Sequence, residues 1–278
     1  MAQRVSRSRE LLKHIVVCGV LLFSLFPLYL MITISFKDNQ QFQVNPFFPD
    51  SPATWKWHNW VKGWGTIQNY IANSIVTSFG SVVLCLIAAI LTSYVLARYR
   101  FAGRSVVYYI LIGTMFLPGT PATLVTLFTL CKDLGMINKL YALSLIGAVG
   151  GQVVCVFILR QFIEEIPKEL FESAQIDGAG HLQQIWTIVL PLSGSVLGTL
   201  AIMQFIGNWN NLMMPLILMR DDQLLTIPVG LMRLEGEYVK QWGELMAGYT
   251  IGSIPLIVLF LFTMRLFVKG IAAGAVKG

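Results

Sequence analysis

Charged side chains are scarce in this chain of 278 residues, which is 55% hydrophobic and only 12% charged, with a mean hydropathy of +0.68. A soluble domain carries about 25% charged residues, so a large soluble core does not account for the deficit. The shortage of charge argues against an ordinary soluble enzyme or binding domain. It indicates a chain that lies mostly within a membrane.

Several signatures of catalysis are absent as well. No Gly-x(4)-Gly-Lys-Ser/Thr stretch occurs, so the chain has no loop of its own to cradle nucleotide phosphates. The three histidines are far apart, and neither a metal-binding cluster nor a nucleophile elbow is evident. The four cysteines form no C-x-x-C pair, which favours buried thiols acting as small hydrophobes. We therefore expect no catalytic residue, metal or cofactor in this chain.

Long uncharged stretches are what the sequence has instead. Six stretches of 20 to 38 residues separate successive charged or histidine residues, and about 20 apolar residues are enough for a helix to cross the hydrocarbon core. The sequence therefore predicts an all-α integral membrane protein, residues 1–278 forming one membrane domain. The predicted helices cover residues 15–36, 73–97, 106–130, 140–159, 192–218 and 245–267. The first stretch is longer than a signal-peptide core and lacks a cleavage site, so an uncleaved helix is favoured.

The net charge of +6 follows membrane topology and does not indicate nucleic acid. With the N-terminus inside, 12 of the 20 Lys and Arg residues fall on the cytoplasmic side, as the positive-inside rule expects. The bias is sharpest at Arg98, Arg100 and Arg104. Both termini are then cytoplasmic, and the outer loops are residues 37–70, with an interfacial helix expected at 54–65 among its tryptophans, and residues 219–243.

The inner loop, about residues 160–190, is the longest segment on the predicted cytoplasmic side. Pro167 suits the first position of a helix, and an apolar stripe of Leu170 and Ala174 is expected beside Ile163 and Phe171. Gly178 can adopt positive φ, and Asp177 is a natural cap for a helix beginning near residues 180–181. The product is a helix–elbow–helix. Taken alone, this pattern favours an ordinary amphipathic loop packed against the protein's own helices.

A family resemblance favours a docking role for this loop. Its spacing is Glu172-Ser173-Ala174-Gln175-Ile176-Asp177-Gly178-Ala179, followed by Ile188-Val189-Leu190-Pro191. It resembles the cytoplasmic docking loop of permease subunits from binding-protein-dependent ABC importers, with Ser173 in place of the usual second residue of Glu-Ala-Ala. Further matches along the whole chain are similar to the smaller maltose permease subunit and its carbohydrate-importing relatives, and include Phe26-Pro27, residues 98–104, residues 157–162, Asn208-Trp209-Asn210 and residues 270–278.

The resemblance implies a set of partners. These are a second, homologous permease subunit (a heterodimer), two copies of an ATP-binding subunit that hold ATP and Mg²⁺, an extracytoplasmic solute-binding protein, a sugar and membrane lipid. It also implies a bacterial-type plasma (inner) membrane. The residues it assigns to ATPase docking are Glu172, Ser173, Ala174, Asp177, Gly178 and Ala179.

Polar residues in a span are costly and indicate function or helix–helix hydrogen bonds. The densest group is Gln204, Asn208, Trp209, Asn210 and Asn211, in which Gln204, Asn208 and Asn211 are expected on one helical face. A sugar path and interhelical hydrogen bonding are both open for this group. Gln152, Asn73 and Thr77 are weaker candidates, for which packing is favoured. Gly248 and Gly252 predict a close helix approach.

The outer loop around Glu235, Gly236, Glu237 and Tyr238 is expected, by the resemblance, to contact the binding protein. A merely solvated loop is the alternative.

Other transport classes fit less well. A secondary transporter needs a buried ion-coupling carboxylate, and no Asp or Glu lies in any predicted span. A membrane enzyme needs clustered catalytic groups. An ABC permease for glycerol phosphate remains an alternative, although a phosphate favours Lys or Arg in the path and the spans contain neither.

Overall fold

The computed structural model describes residues 7–117, 120–235 and 241–275, and within them every regular element is a helix. Short 3-10 turns occupy Pro52–Thr54, Thr114–Phe116 and Asp222–Leu224, and a π-helical turn covers Ile185–Val189. The α-helices are α1 (Arg7–Ser35), α2 (Asn39–Val44), α3 (His58–Arg98), α4 (Arg104–Gly113), α5 (Pro121–Asp133), α6 (Leu140–Glu165), α7 (Lys168–Ile176), α8 (His181–Gln184), α9 (Leu190–Leu192), α10 (Gly194–Trp209), α11 (Met213–Leu218), α12 (Ile227–Glu235) and α13 (Trp242–Ala275).

Within the described residues, four helices are long and apolar enough to cross a membrane by themselves: Lys13–Ser35, His58–Arg98, Leu140–Glu165 and Trp242–Thr263. Two bent pairs raise the number to six if each pair is one span. They are Arg104–Phe116 with Pro121–Asp133, and His181–Leu192 with Gly194–Trp209, the latter bent by 82°. The all-α membrane architecture predicted from hydropathy is confirmed.

The chain divides into two compact units, of which the first comprises Met1–Gln68 and Gly230–Ile254. Lys37 lies in it with 1% exposure, and its ammonium donates to Asn45 O, Phe48 O and the Asp50 carboxylate at 2.7, 2.7 and 2.8 Å. All three of its N–H groups are therefore satisfied, which is what makes a buried lysine tolerable. Beside it, Phe36 packs its ring against Trp55, Trp57 and Trp60.

Close helix approach in this first unit depends on small residues. A Cβ at Gly63 of α3 would lie 3.2 Å from the backbone N of Gly248 on α13. The expected packing role of Gly248 is thereby supported.

The second unit comprises Asn69–Val229 and Pro255–Gly278. Its larger buried cluster joins α3, α6 and α10 to the loop between α6 and α9 through Tyr94, Leu159, Leu200 and Phe171, among others. A second cluster holds Leu143 of α6 against Leu218, Leu225 and Val229. Phe171 of α7 and Ile185, which directly follows α8, therefore hold the predicted docking loop on the transmembrane core of this unit.

Several predicted boundaries are wrong. No separate interfacial helix covers residues 54–65, because α3 begins at His58 and continues to Arg98 for 41 residues. That is about twice the length needed to cross the hydrocarbon core. Helix formation does not require apolar residues, so the polar and aromatic first turns of α3 escaped a prediction based on hydropathy.

The fifth predicted span is also divided differently. The helix expected over residues 192–218 ends at Trp209, and α11 begins only at Met213. Asn210 takes the C-cap position of α10. Asparagine side chains compete for backbone hydrogen bonds and favour helix ends, which explains why this Asn-rich stretch terminates the helix.

Other helices extend or break. α6 runs to Glu165, past the predicted end at residue 159, and Arg160 pairs with Glu164 one turn later at 2.9 Å. α13 continues to Ala275, past the predicted end at residue 267. The third predicted span is interrupted where Pro118 and Pro121 in the sequence predict a bend: α4 ends at Gly113, and α5 starts with Pro121 at its first position.

Candidate functional site

The predicted docking loop is a helix–elbow–helix whose turn is set by Gly178. The amide N–H of Gly178 donates to Gln175 O at 3.0 Å, and that of Ala179 donates to Ala174 O at 2.8 Å. These two bonds, with Gly178 at φ +79°, form a Schellman motif. The expectation that Gly178 adopts positive φ is confirmed, and a residue with a Cβ is strained at that position.

Two capping predictions in this loop are wrong. Asp177 is the C-cap of α7, and the N-cap of α8 is Gly180. Pro167 stands at the N-cap of α7 rather than at its first helical position. The elbow needs a residue that accepts a near-helical conformation immediately before the left-handed glycine, and Asp177 occupies that place.

The two faces of α7 differ from the predicted stripe. Leu170 is 45% exposed, whereas Phe171, its neighbour in sequence, is 1% exposed. Phe171 is held by the Arg98 guanidinium, which lies 3.8 Å from the centre of its ring. Sequence reasoning assigned Arg98 to topology alone and missed this contact, because a cation–π pair across 73 residues leaves no local pattern.

The exposed side of the loop carries most of the predicted docking residues. Ile176 is 87% exposed, an unusual position for an isoleucine at the end of a helix. The Ser173 hydroxyl donates to Glu169 O at 2.8 Å, so the departure from Glu-Ala-Ala is accommodated within α7 itself. The exposed residues are Glu172, Ser173, Asp177 and Gly178, while Ala174 and Ala179 are half-buried.

Gln204 of the proposed sugar path lies in a seam between three helices. It is 8% exposed, and its amide nitrogen donates to Ser81 Oγ of α3 at 2.9 Å and to Gly147 O of α6 at 2.7 Å. Both amide hydrogens are thus used between helices. Of the two interpretations left open by the sequence, these contacts support interhelical hydrogen bonding for Gln204.

Of the rest of the group, only Asn208, one turn further along α10, shares a face with Gln204, and both side chains lie against glycines of α6. Asn208 donates to Gln204 O at 2.9 Å within α10, but Asn211 lies beyond the end of that helix and accepts from Met214 N at 3.2 Å. Trp209 is 3% exposed and stacks on Phe205. The prediction that Gln204, Asn208 and Asn211 line one helical face is therefore wrong, and Asn210 is the exposed member.

The remaining candidates have simpler outcomes. Asn73 donates to Gln223 O and Leu225 O at 2.7 and 2.9 Å, as expected of a packing residue. In the predicted binding-protein contact, Glu235 is the last residue of α12. Gly236, Glu237 and Tyr238 lie outside the described residues.

Comparison with known proteins supplies the wider context. Residues 1–272 match the family described as "Binding-protein-dependent transport system inner membrane component". The chain is 31% identical to an arabino-oligosaccharide transport permease of Halalkalibacterium halodurans, covering 92% of each chain. It is 30% identical to an sn-glycerol-3-phosphate transport permease of Yersinia pestis, covering 95% of this chain and 96% of that one.

A solved structure supports the fold. The crystal structure of a bacterial ABC transporter that imports the acidic polysaccharide alginate contains a chain that superposes with a TM-score of 0.82 at 19% identity. The match covers 95% of this chain and 99% of that chain. At this identity the likeness concerns architecture, and it extends over the transmembrane helices and the loop between them.

Proposed function

Because the chain belongs to the binding-protein-dependent transport system inner membrane components, an integral membrane family, we propose that it is the permease subunit of an ATP-driven carbohydrate importer. It forms half of the translocation path, and the α7–α8 loop meets the ATPase. The chain itself is not catalytic. ATP and Mg²⁺ are bound by the partner ATPase, since no phosphate-binding loop occurs in the sequence.

The observation that carries this proposal is the elbow itself. A Schellman turn at Gly178 holds α7 and α8 in fixed geometry, and the side away from the core presents Glu172, Asp177 and an exposed Ile176. A rigid, partly apolar and acidic knob fits a groove on a separate protein. Closure of two ATPases then becomes movement of the transmembrane helices, a rigid-body conversion of binding energy into alternating access.

The proposed assembly follows from that geometry and from the family. A second homologous permease completes the path as a heterodimer, two ATPases bind on the cytoplasmic side, and an extracytoplasmic binding protein delivers the solute. The docking loop and both termini lie in the cytoplasm, in accord with the distribution of Lys and Arg. Predicted contact with the binding protein involves Glu235, Gly236, Glu237 and Tyr238.

Carbohydrate is favoured as the cargo because α10 and its end carry four amide side chains and no cation. Asn208, Asn210 and Asn211 remain the proposed sugar contacts. A second candidate is glycerol phosphate, in view of the Yersinia pestis relative. A phosphate monoester is bound by Arg or Lys, yet residues 182–219 contain no charge.

Docking is tested by a Gly178→Leu variant in the complex with its co-assembling subunits. Positive φ strains any residue with a Cβ by about 1–2 kcal/mol, so the elbow rearranges and the ATPase no longer co-purifies. Gly135→Leu is the matched control, because Gly135 also has positive φ (+66°) but lies in the turn after α5. If Gly178→Leu retains the ATPase as well as the wild type does, the docking assignment is wrong.

The cargo is tested in proteoliposomes containing the wild-type complex and the binding protein. ATP hydrolysis is measured with arabino-oligosaccharides, maltose, raffinose or sn-glycerol-3-phosphate added singly. Stimulation by one of the sugars supports the proposal. Stimulation by glycerol phosphate alone would replace it with the second candidate.

A further inference from the structure

We propose that Tyr94 and Arg98, in the last turn and a half of α3, are positioning residues that fasten both helices of the docking loop to α3. When the loop moves, α3 is then the first transmembrane helix to move with it. This inference rests on the proposed function, because it presupposes that an ATPase moves the loop.

The first attachment is a directed chain of hydrogen bonds to α8. Gln184 Nε2 donates to Ala179 O at 3.1 Å, which fixes the orientation of the amide and leaves Gln184 Oε1 as an acceptor. The Tyr94 hydroxyl donates to that oxygen at 2.8 Å. A hydroxyl has a single proton, so His181 Nδ1, 3.1 Å away, must donate to the Tyr94 oxygen.

This series of hydrogen bonds therefore runs from His181 through Tyr94 and Gln184 to the backbone of the elbow. Tyr94 is 2% exposed and Gln184 is 1% exposed. Water therefore does not replace either partner. Because buried polar groups must be hydrogen-bonded, these bonds fix the position of α8 on α3. Ala179, whose carbonyl accepts the last of these hydrogen bonds, is one of the residues assigned to ATPase docking.

The second attachment holds α7. The Arg98 guanidinium lies 3.8 Å from the centre of the Phe171 ring, and the Tyr94 ring lies 6.4 Å from it. Phe171 is almost fully buried, where cation–π attraction is strongest. A planar guanidinium stacks on a ring in a way that a lysine ammonium does not.

Together the two attachments lie on either side of the elbow. Phe171 precedes Gly178 and is held by Arg98, whereas His181 and Gln184 follow it and are held by Tyr94. A loop held at both sides cannot pivot about a single contact. Tyr94 also lies 13 residues, about 20 Å along the helix, from Ser81, which accepts the hydrogen bond of Gln204 on α10. A continuous set of contacts thus leads from the elbow to the middle of the unit.

The test follows the distance between the loop and α3 in the assembled transporter. Nitroxide labels are attached to p-acetylphenylalanine at positions 175 and 83, which are exposed on α7 and α3. The distance is measured by pulsed electron resonance without nucleotide and after trapping with ATP, Mg²⁺ and orthovanadate. In the wild type we expect a change within about 2 Å, the size of ordinary helix shifts.

Tyr94→Phe removes the hydroxyl and keeps the ring, and Arg98→Lys keeps the charge and loses the stacking. In each variant we expect the trapped-state distance to shift by about 5 Å, or its distribution to broaden about twofold, while the ATPase still co-purifies. Tyr109→Phe and Arg100→Lys are matched controls at exposed positions and should behave as the wild type does.

A double variant separates the hydrogen bond from general packing. Tyr94→Phe combined with Gln184→Leu should shift the trapped-state distance no further than the larger of the two single changes does. The reason is that both changes remove the same hydrogen bond. Unchanged trapped-state distances in Tyr94→Phe and Arg98→Lys, or a wild-type distance that itself shifts by several ångström, would overturn the inference. Failure of the wild-type complex to retain any ATPase would instead refute the proposed function.

Discussion

Gly151→Ala tests the seam between α6 and α10 directly. A Cβ added at Gly151 would overlap the amide oxygen of Gln204, which lies against that glycine. The obstacle is a buried side chain whose amide nitrogen already donates to Ser81 and to the Gly147 carbonyl. Gln204 must therefore leave its position, and both hydrogen bonds are lost with it.

The expected magnitude combines three effects. Two interhelical hydrogen bonds in a membrane are worth about 0.6 kcal/mol each on average, and overpacking a filled site costs about 1–3 kcal/mol. Alanine recovers about 1 kcal/mol in helix propensity over glycine. The variant should therefore be less stable by about 1–3 kcal/mol. This loss of stability should come from the displacement of Gln204 and not from the helix propensity of alanine.

The measurement is unfolding of the detergent-solubilised complex by sodium dodecyl sulfate, followed by tryptophan fluorescence. Gly150→Ala is the matched control, because nothing lies within 4 Å of a Cβ at Gly150, and it should be neutral or slightly stabilising. Gly151→Ala combined with Gln204→Ala should recover most of the overpacking loss, since the obstructing amide is gone. If Gly151→Ala is as stable as the wild type, or if the double variant recovers no stability, the close contact between Gly151 and Gln204 is refuted.

Two further predictions concern the segment after α1. Lys37→Met should destabilise the first unit by about 3 kcal/mol, because Asp50 and two carbonyls lose a buried ammonium. Lys56→Met is the control: it breaks the exposed pair with Asp38 and should change stability by less than about 1 kcal/mol. Equal losses of stability for the two variants in a denaturant titration would contradict this prediction. The backbone N–H of Gln41 lowers the pKa of Asp38 below its ordinary 3.8, with burial opposing and Lys56 assisting. Because the folded value is the lower one, this stabilisation is present above pH 3.8 and is lost as the pH falls through the folded pKa. Hydrogen exchange of α2 should show loss of protection in that acidic range in the wild type and no such step in Asp38→Asn.

Much of the architecture was predictable because lipid imposes a simple rule. Backbone groups in hydrocarbon must be satisfied internally, so long uncharged stretches become helices, and the six stretches correspond to four single helices and two bent pairs. The break at Pro121 and the turn at Gly178 were also local, since each depends on what one residue's backbone permits. The family pattern in residues 172–191 identified the loop for the same reason: its residues are adjacent in sequence.

The partners of the polar side chains depend on tertiary packing. Sequence alone marks Gln204 as a costly polar residue in a span, but whether it faces a sugar or another helix depends on Ser81 and Gly147, far away in the chain. The sequence likewise places Arg98 at the basic end of a helix, but it does not show that the guanidinium covers Phe171. Hydropathy and local spacing record the conformation that each segment prefers in lipid, whereas these contacts arise when separate helices pack. The physical reason is that a hydrogen bond or a cation–π pair needs two groups within a few ångström, a condition that packing alone creates.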